Sequence, residues 1–138
     1  MPAFTVSGYL SYLIYQGSIT ATIFNGFIRD QVLPHCGRYE DGDPLSVLVV
    51  DNASIHWNSD LVDMLDEAGV LLARLPPYSP DLNPIETSFS VLKAWIKRHQ
   101  DMAIIYQEGD YGEFLKLAIE AQEGRGDPGH CVNLGFIM

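Results

Sequence analysis

Basic residues are scarce in this chain. Its 138 residues include 8 Lys and Arg against 18 Asp and Glu, a formal net charge of −10. Phosphate binding rests on Lys and Arg, so this balance excludes a protein that coats nucleic acid with its whole surface; any DNA contact must be local or be helped by a segment outside this sequence. Cysteine is nearly absent too. Cys36 and Cys131 are far apart and form no CxxC pair, which leaves two idle thiols in a reducing compartment rather than a disulfide framework. No apolar run reaches the roughly 18 residues that span a bilayer. The N-terminus lacks the basic, apolar and small-residue pattern of a secretory signal. With no targeting signal visible, the expected location is intracellular, and nuclear in a eukaryote. No internal repeat is present.

What remains is a chain with 47% hydrophobic residues, long enough for one domain with a real core. Residues 3–6 and 9–15 are rich in β-branched and aromatic residues around Ser7-Gly8, a hairpin signal. Thr20 reads as the N-cap of a helix whose apolar face carries Ile23, Phe24, Phe27, Ile28 and Val32, stopped by Pro34. Residues 35–44 form a solvated loop with an acidic patch, Glu40-Asp41-Asp43. The unbroken run Val47-Leu48-Val49-Val50 lacks alternation, as in a strand buried on both faces. Asn58-Ser59 cap a second helix with Leu61, Val62 and Leu65, ended by Gly69, and residues 70–75 are the next strand. Strand, helix, strand in about 30 residues is a right-handed parallel crossover.

Prolines 76, 77, 80 and 84 stiffen the loop after that strand. Asn83 then caps a helix with Pro84 at its first position and Glu86 at its third. Ile85, Phe89, Leu92 and Ile96 form its apolar stripe. Glu86, Ser90, Lys93 and Lys97 form a polar stripe one residue round. Residues 101–112 read as loop, and residues 114–121 as a last helix with Phe114, Leu117 and Ala121 inward. Residues 124–129 are Gly-rich, ahead of a short apolar end. The expected organisation is 1–44 hairpin, helix and loop, 45–99 core, and 100–138 C-terminal helix and flexible tail.

Two carboxylates stand out: Asp51 at the end of the central strand and Glu86 in the first turn of a proline-braced helix. A hard cation such as Mg²⁺ takes one or two protein carboxylates and completes its shell with water or phosphate oxygens. Two such ions roughly 4 Å apart can activate a water or 3′-hydroxyl and stabilise the leaving oxygen of a phosphodiester. Plainer roles stand beside this one. Glu86 can be the second half of a capping box with Asn83, and Asp51 a turn former with Asn52. His56 reads as a loop histidine packing or capping near Trp57, with a ligand role as the rarer alternative, Asp81 as an Asx turn, and Trp95 as core. Lys93 and Lys97 are solvated surface or, beside an acidic site, phosphate contacts. The Arg125-Gly126-Asp127 triplet is too short to use.

The segments Val49-Val50-Asp51-Asn52-Ala53-Ser54-Ile55-His56, then Leu75-Pro76-Pro77-Tyr78-Ser79-Pro80-Asp81-Leu82-Asn83-Pro84-Ile85-Glu86, then Leu92-Lys93-Ala94-Trp95-Ile96-Lys97 resemble the catalytic domain of Tc/mariner-type DDE transposases. The proline-rich block is the most specific part, and the 34 residues between Asp51 and Glu86 match the spacing of the second and third acids in one branch of that group. The resemblance implies an α/β, ribonuclease-H-like fold: a mixed sheet flanked by helices. It implies Mg²⁺- or Mn²⁺-dependent cutting of DNA and joining to a target, with Asp51 and Glu86 as catalytic metal ligands and Lys93 and Lys97 as nucleic-acid contacts. The family's first acid and its strand precede the hairpin placed at 3–16, and a helix-turn-helix region precedes that. The expectation is therefore an N-terminally truncated domain, first strand missing, with weak metal binding and no strand transfer by itself. A homo-oligomer or a partner chain would supply the strand. The alternative is a non-catalytic remnant serving as a protein- or nucleic-acid-interaction module, which the net charge favours. A third reading, an unrelated phosphohydrolase with Asp51 as nucleophile, makes no use of Glu86.

Overall fold

The hairpin forms where the β-branched and aromatic residues place it. In a computed structural model that describes residues 1–5, 7–78, 80–107 and 111–123, strands β1 (Pro2–Thr5) and β2 (Gly8–Tyr12) pair antiparallel. The Thr5 hydroxyl donates to the Gly8 carbonyl at 3.1 Å and closes the turn. Helix α1 (Ala21–Phe27) starts on Thr20, whose backbone is extended and whose side-chain oxygen accepts the Ile23 N–H. Pro34 prevents α1 from continuing as a regular helix. Its missing N–H and its ring are incompatible with one, and the chain widens into a π turn over Ile28–Val32 and tightens into a 3₁₀ turn over Leu33–His35.

Strand β3 (Val47–Val50) is nearly wholly buried, as its unbroken apolar run requires. Helix α2 (Ser59–Ala68) is capped by Asn58 and ended by Gly69 at φ 73°. That left-handed conformation favours glycine, and a Cβ there would also meet the Arg38 side chain at 3.0 Å. Strand β4 (Leu71–Arg74) returns parallel to β3, with Val50 opposite Arg74. The predicted parallel strand–helix–strand unit is thus present.

Helix α3 (Pro84–Arg98) begins on Asn83, whose side chain accepts the Ile85 N–H at 3.2 Å. Its polar stripe of Glu86, Ser90, Lys93 and Lys97 is exposed throughout. Two expectations fail beyond it. Residues 100–107 are helical, not loop, as α4 (Gln100–Gln107). Helix α5 runs Tyr111–Glu123, three residues earlier than expected. Its buried face is Phe114, Ala118 and Ile119, whereas Leu117 is exposed. Packing against α3 sets that phase: Trp95, Phe114 and Ala118 form one cluster, with Met102 of α4 laid against it. That contact gives α4 an apolar anchor which no local signal reveals.

The main core joins the hairpin, α1, β3 and α2, with Leu61 and Leu65 at its centre. A single mixed sheet was expected. Among the described residues there are instead two two-stranded sheets, β1–β2 and β3–β4. The free sides of β1 and β3 are separated by a groove with a cavity of about 280 Å³. The architecture is therefore mixed α/β, small sheets flanked by helices, compatible with the expected class. The Gly-rich segment, the Arg125-Gly126-Asp127 triplet and Cys131 lie outside the described residues.

Candidate functional site

Asp51 follows β3 at its C-terminal end, where the strand stops pairing and the chain turns into a 3₁₀ turn, Ser54–His56. Its Oδ1 accepts the Ala53 N–H at 3.0 Å, an Asx turn two residues long. The expected turn-forming role is thus real. The same oxygen lies 3.0 Å from Nδ1 of His56, which is also 3.2 Å from the Asp51 carbonyl oxygen. Both neighbours are acceptors, so Nδ1 carries the proton. Oδ2 has no hydrogen-bond partner among the described residues, and the side chain is 52% exposed. The carboxylate is anchored through one oxygen and free at the other.

His56 was expected to pack or to cap, and it packs: it is buried, with its ring 4.4 Å from that of Phe24. Its hold on Asp51 was not foreseen. Sequence spacing puts the two five residues apart but cannot fix a rotamer.

Asn58 secures the far end of this loop. Its Oδ1 accepts the N–H of Leu61 and Nδ2 of Asn25, both at 2.8 Å, and its Nδ2 donates to the Ile55 carbonyl at 2.8 Å. One side chain thereby caps α2, ties it to α1 and closes the turn that carries His56.

Glu86 stands in the first turn of α3, exposed, with no side-chain partner among the described residues. The expected capping box does not form: the Asn83 side chain accepts from Ile85 rather than from Glu86, whose N–H donates to the Asn83 carbonyl at 3.0 Å. The Glu86 carboxylate is left free. Asp51 and Asn83 line the same groove, with Ile85 and Phe89 of α3 beside them. Asp51 and the start of α3 thus border one groove, and Glu86 is not part of its lining. No group of three or more His, Cys, Asp or Glu side chains gathers there among the described residues.

Lys93 and Lys97 lie further along α3, about two and three turns beyond Glu86, exposed and without an ion-pair partner among the described residues. A second cationic feature was not legible beforehand. Arg74 ends β4 level with Val50, so it lies at the same end of the parallel pair as Asp51. Its guanidinium sits 4.4 Å from the ring centre of Trp57 and donates to the His56 carbonyl at 3.3 Å. Trp57 is 59% exposed. In the proline loop, Tyr78 is fully exposed and held at φ 57°, a left-handed conformation that costs a bulky residue about 1–2 kcal/mol.

A family model described as DDE superfamily endonuclease matches residues 1–105. Neither the curated proteins nor the solved structures contain a match to the chain.

Proposed function

The chain belongs to the DDE superfamily endonucleases, and from that premise we propose that it is a Tc/mariner-type transposase domain of ribonuclease-H-like fold, which acts on DNA phosphodiesters through a divalent cation held by Asp51 and Glu86. The observation that carries the reading is the half-free carboxylate of Asp51, at the end of a buried strand and on a groove shared with the first turn of α3. The donor set suits Mg²⁺ or Mn²⁺, which takes hard oxygen ligands and needs only one or two carboxylates. When bound, such an ion polarises phosphate oxygens and activates the attacking water or hydroxyl.

The chain's own residues have separable tasks. The Ala53 N–H and His56 hold Oδ1 of Asp51 and leave Oδ2 to the ligand. Asn83 and Pro84 fix the start of α3 and so the position of Glu86. Trp57, backed by Arg74, offers a face on which an unpaired base stacks. Lys93 and Lys97 supply phosphate contacts on the same helix as Glu86, which concentrates positive charge locally on an acidic chain. With two carboxylates, binding of the ion is weak and this chain alone does not transfer strands. The net charge of −10 favours a second reading, a non-catalytic interaction module; Asp51→Asn leaves that function intact and removes a nuclease's.

Mn²⁺ binding followed by electron paramagnetic resonance tests the site. One weak site is expected, and Asp51→Asn or Glu86→Gln should each lower its affinity by about tenfold or more, since even outer-shell changes cost about 10–100-fold. Mn²⁺ binding that ignores both substitutions removes the metal site. Metal-dependent plasmid nicking abolished by Glu86→Gln would refute the impairment and leave the nuclease reading standing.

A further inference from the structure

A second cavity, of about 190 Å³, lies where the hairpin meets α3 and α5. Phe89 and Leu92 of α3 and Leu115 and Ile119 of α5 form its helical walls, and β2 with the chain that follows it forms the rest. Met1, Pro2 and Phe89 also border the groove between β1 and β3, but α5 contributes nothing to that groove. The cavity lies on the seam between the two apolar clusters. Leu13 and Ile19 on its wall pack against the main core, while Leu92 packs against the Trp95–Phe114 cluster. Interiors are otherwise close-packed, and side chains that line a void forfeit contacts on that side. One polar group on the wall is also unsatisfied. The Tyr9 phenol oxygen is buried and has no hydrogen-bond partner among the described residues. The Ser88 hydroxyl comes near enough to act on it, but that hydroxyl donates to the Ile85 carbonyl at 2.8 Å and stands outside hydrogen-bond geometry with Tyr9. Phe4 meets the Tyr9 ring edge to face, with centroids 5.2 Å apart, and holds it in place.

We infer that this cavity is a binding site for a small neutral aromatic molecule, one ring with a short substituent, whose carbonyl or ether oxygen accepts a hydrogen bond from the Tyr9 hydroxyl. Volume dictates the size. An apolar cavity of about 150 Å³ holds benzene, whereas drug-sized ligands occupy about 300–1,000 Å³; a space of about 190 Å³ lies just above the first. Charge is excluded because no Asp, Glu, Lys, Arg or His lines the cavity, and an ion without a partner is not stripped of water at acceptable cost. The rings of Phe89, Tyr9, Tyr12 and Tyr15 on the wall favour an aromatic occupant through edge and offset contacts. Tyr15, half exposed, marks the mouth. The buried phenol dictates the acceptor, since a hydroxyl left unpaired away from water is costly and an occupant that pairs it removes that cost. Water fills the role poorly, because a buried water needs about two to four polar partners and Tyr9 is the lining residue with a buried unpaired side-chain group. The inference goes beyond the nuclease reading and uses none of its residues: Asp51, Trp57, Glu86, Lys93 and Lys97 lie outside the lining.

The test uses the 138-residue chain in EDTA without DNA, and the probe is acetophenone, followed by the methyl resonances in carbon-edited NMR. Saturable shifts are expected at Leu92, Leu115 and Ile119 on the cavity wall, and none at Leu48, Val49 and Val50, which line only the groove. Tyr9→Phe should weaken acetophenone binding by about tenfold. It should leave α-methylstyrene, which has the same shape with a methylene in place of the carbonyl oxygen, bound as before. Leu115→Trp fills the space and should exclude both molecules; the Tyr9→Phe comparison decides alone if that variant does not fold. The absence of saturable shifts overturns the inference. Shifts confined to Leu48, Val49 and Val50 also overturn it by moving the binding to the groove. Equal acetophenone affinity in Tyr9→Phe and the parent chain overturns it as well, because the phenol then recognises nothing. Each of these outcomes leaves the Mn²⁺ result untouched.

Discussion

Replacing Asn58 with alanine removes a cap, a helix-to-helix tie and a turn closure in a single step, and the structure lets the cost be built up. Loss of the side-chain acceptor for the Leu61 N–H costs about 1 kcal/mol, as for other N-caps. The Asn25 amide and the Ile55 carbonyl, each 2.8 Å from Asn58 and partly buried, lose partners at about 0.5–1.5 kcal/mol apiece. The sum is about 2–4 kcal/mol. Asn58→Asp separates the contributions. A carboxylate still accepts from Leu61 and Asn25 and suits the N-terminus of α2; what is lost is the Nδ2 donor, which serves the Ile55 carbonyl at 2.8 Å and the Asn25 side-chain oxygen at 3.4 Å. Asn58→Asp should therefore cost at least about 1 kcal/mol less than Asn58→Ala, about 3 °C in Tm for a chain of this size. Urea denaturation with unchanged slope is the assay. A double-mutant cycle with Asn25→Ala should give a coupling of about 0.5–1 kcal/mol. Equal destabilisation by both Asn58 variants, or a cost below about 0.5 kcal/mol for alanine, would refute the view that this side chain secures the turn carrying His56.

Burial raises the Tyr9 phenol above its ordinary pKa, against a smaller opposing effect of Ser88. A raised folded-state value means that the stabilisation is complete below the unfolded value near about 10 and is lost as pH climbs through the folded one. The slope of stability against pH above about 10 should therefore be shallower in Tyr9→Phe, and one of the seven tyrosines should titrate late by ultraviolet absorbance; coincident titration of all seven would contradict this. For DNA contacts, Trp57→Ala should weaken a single-stranded oligonucleotide by about tenfold, as expected for one stacked base. Lys93→Ala and Lys97→Ala should each reduce the salt slope of binding by about one. Fluorescence anisotropy reads both effects, and an unchanged slope would return the two lysines to the solvated surface.

Local chemistry made much of this fold legible. Thr20, Asn58 and Asn83 announce helix starts because a short polar side chain satisfies an orphan N–H wherever it precedes a helix. Gly69 announces a helix end because its φ of 73° suits no other residue as well. The Val47–Val50 run announces a buried strand through composition alone. The failures share another cause. α4 has weak amphipathic character and rests on the Trp95–Phe114 cluster, a contact made only after α5 has folded back. Leu117 lies outside and Ala118 inside because the phase of α5 is set by α3, not by its own periodicity. Whether β1 and β3 would meet depends on nothing local to either strand. At the site, the carboxylates were legible because a strand end and a helix start were; the His56 contact, which depends on a side-chain rotamer, and the Trp57–Arg74 pair, which depends on β4 register, were not.

Asp51 is held through one oxygen, and this makes His56 a positioning residue for the proposed metal site. Oδ1 accepts the Ala53 N–H at 3.0 Å and lies 3.0 Å from Nδ1 of His56. A carboxylate tethered in this way reorganises little when a cation reaches Oδ2, so binding is not offset by the cost of ordering the side chain. His56→Ala removes one of the two tethers and leaves both carboxylate oxygens in place. Mn²⁺ affinity should fall by about tenfold, the low end of the cost of losing an outer-shell partner, while Asp51→Asn lowers it further. Mn²⁺ affinity that is the same in His56→Ala and the parent chain would mean that the tether serves the turn and not the ion.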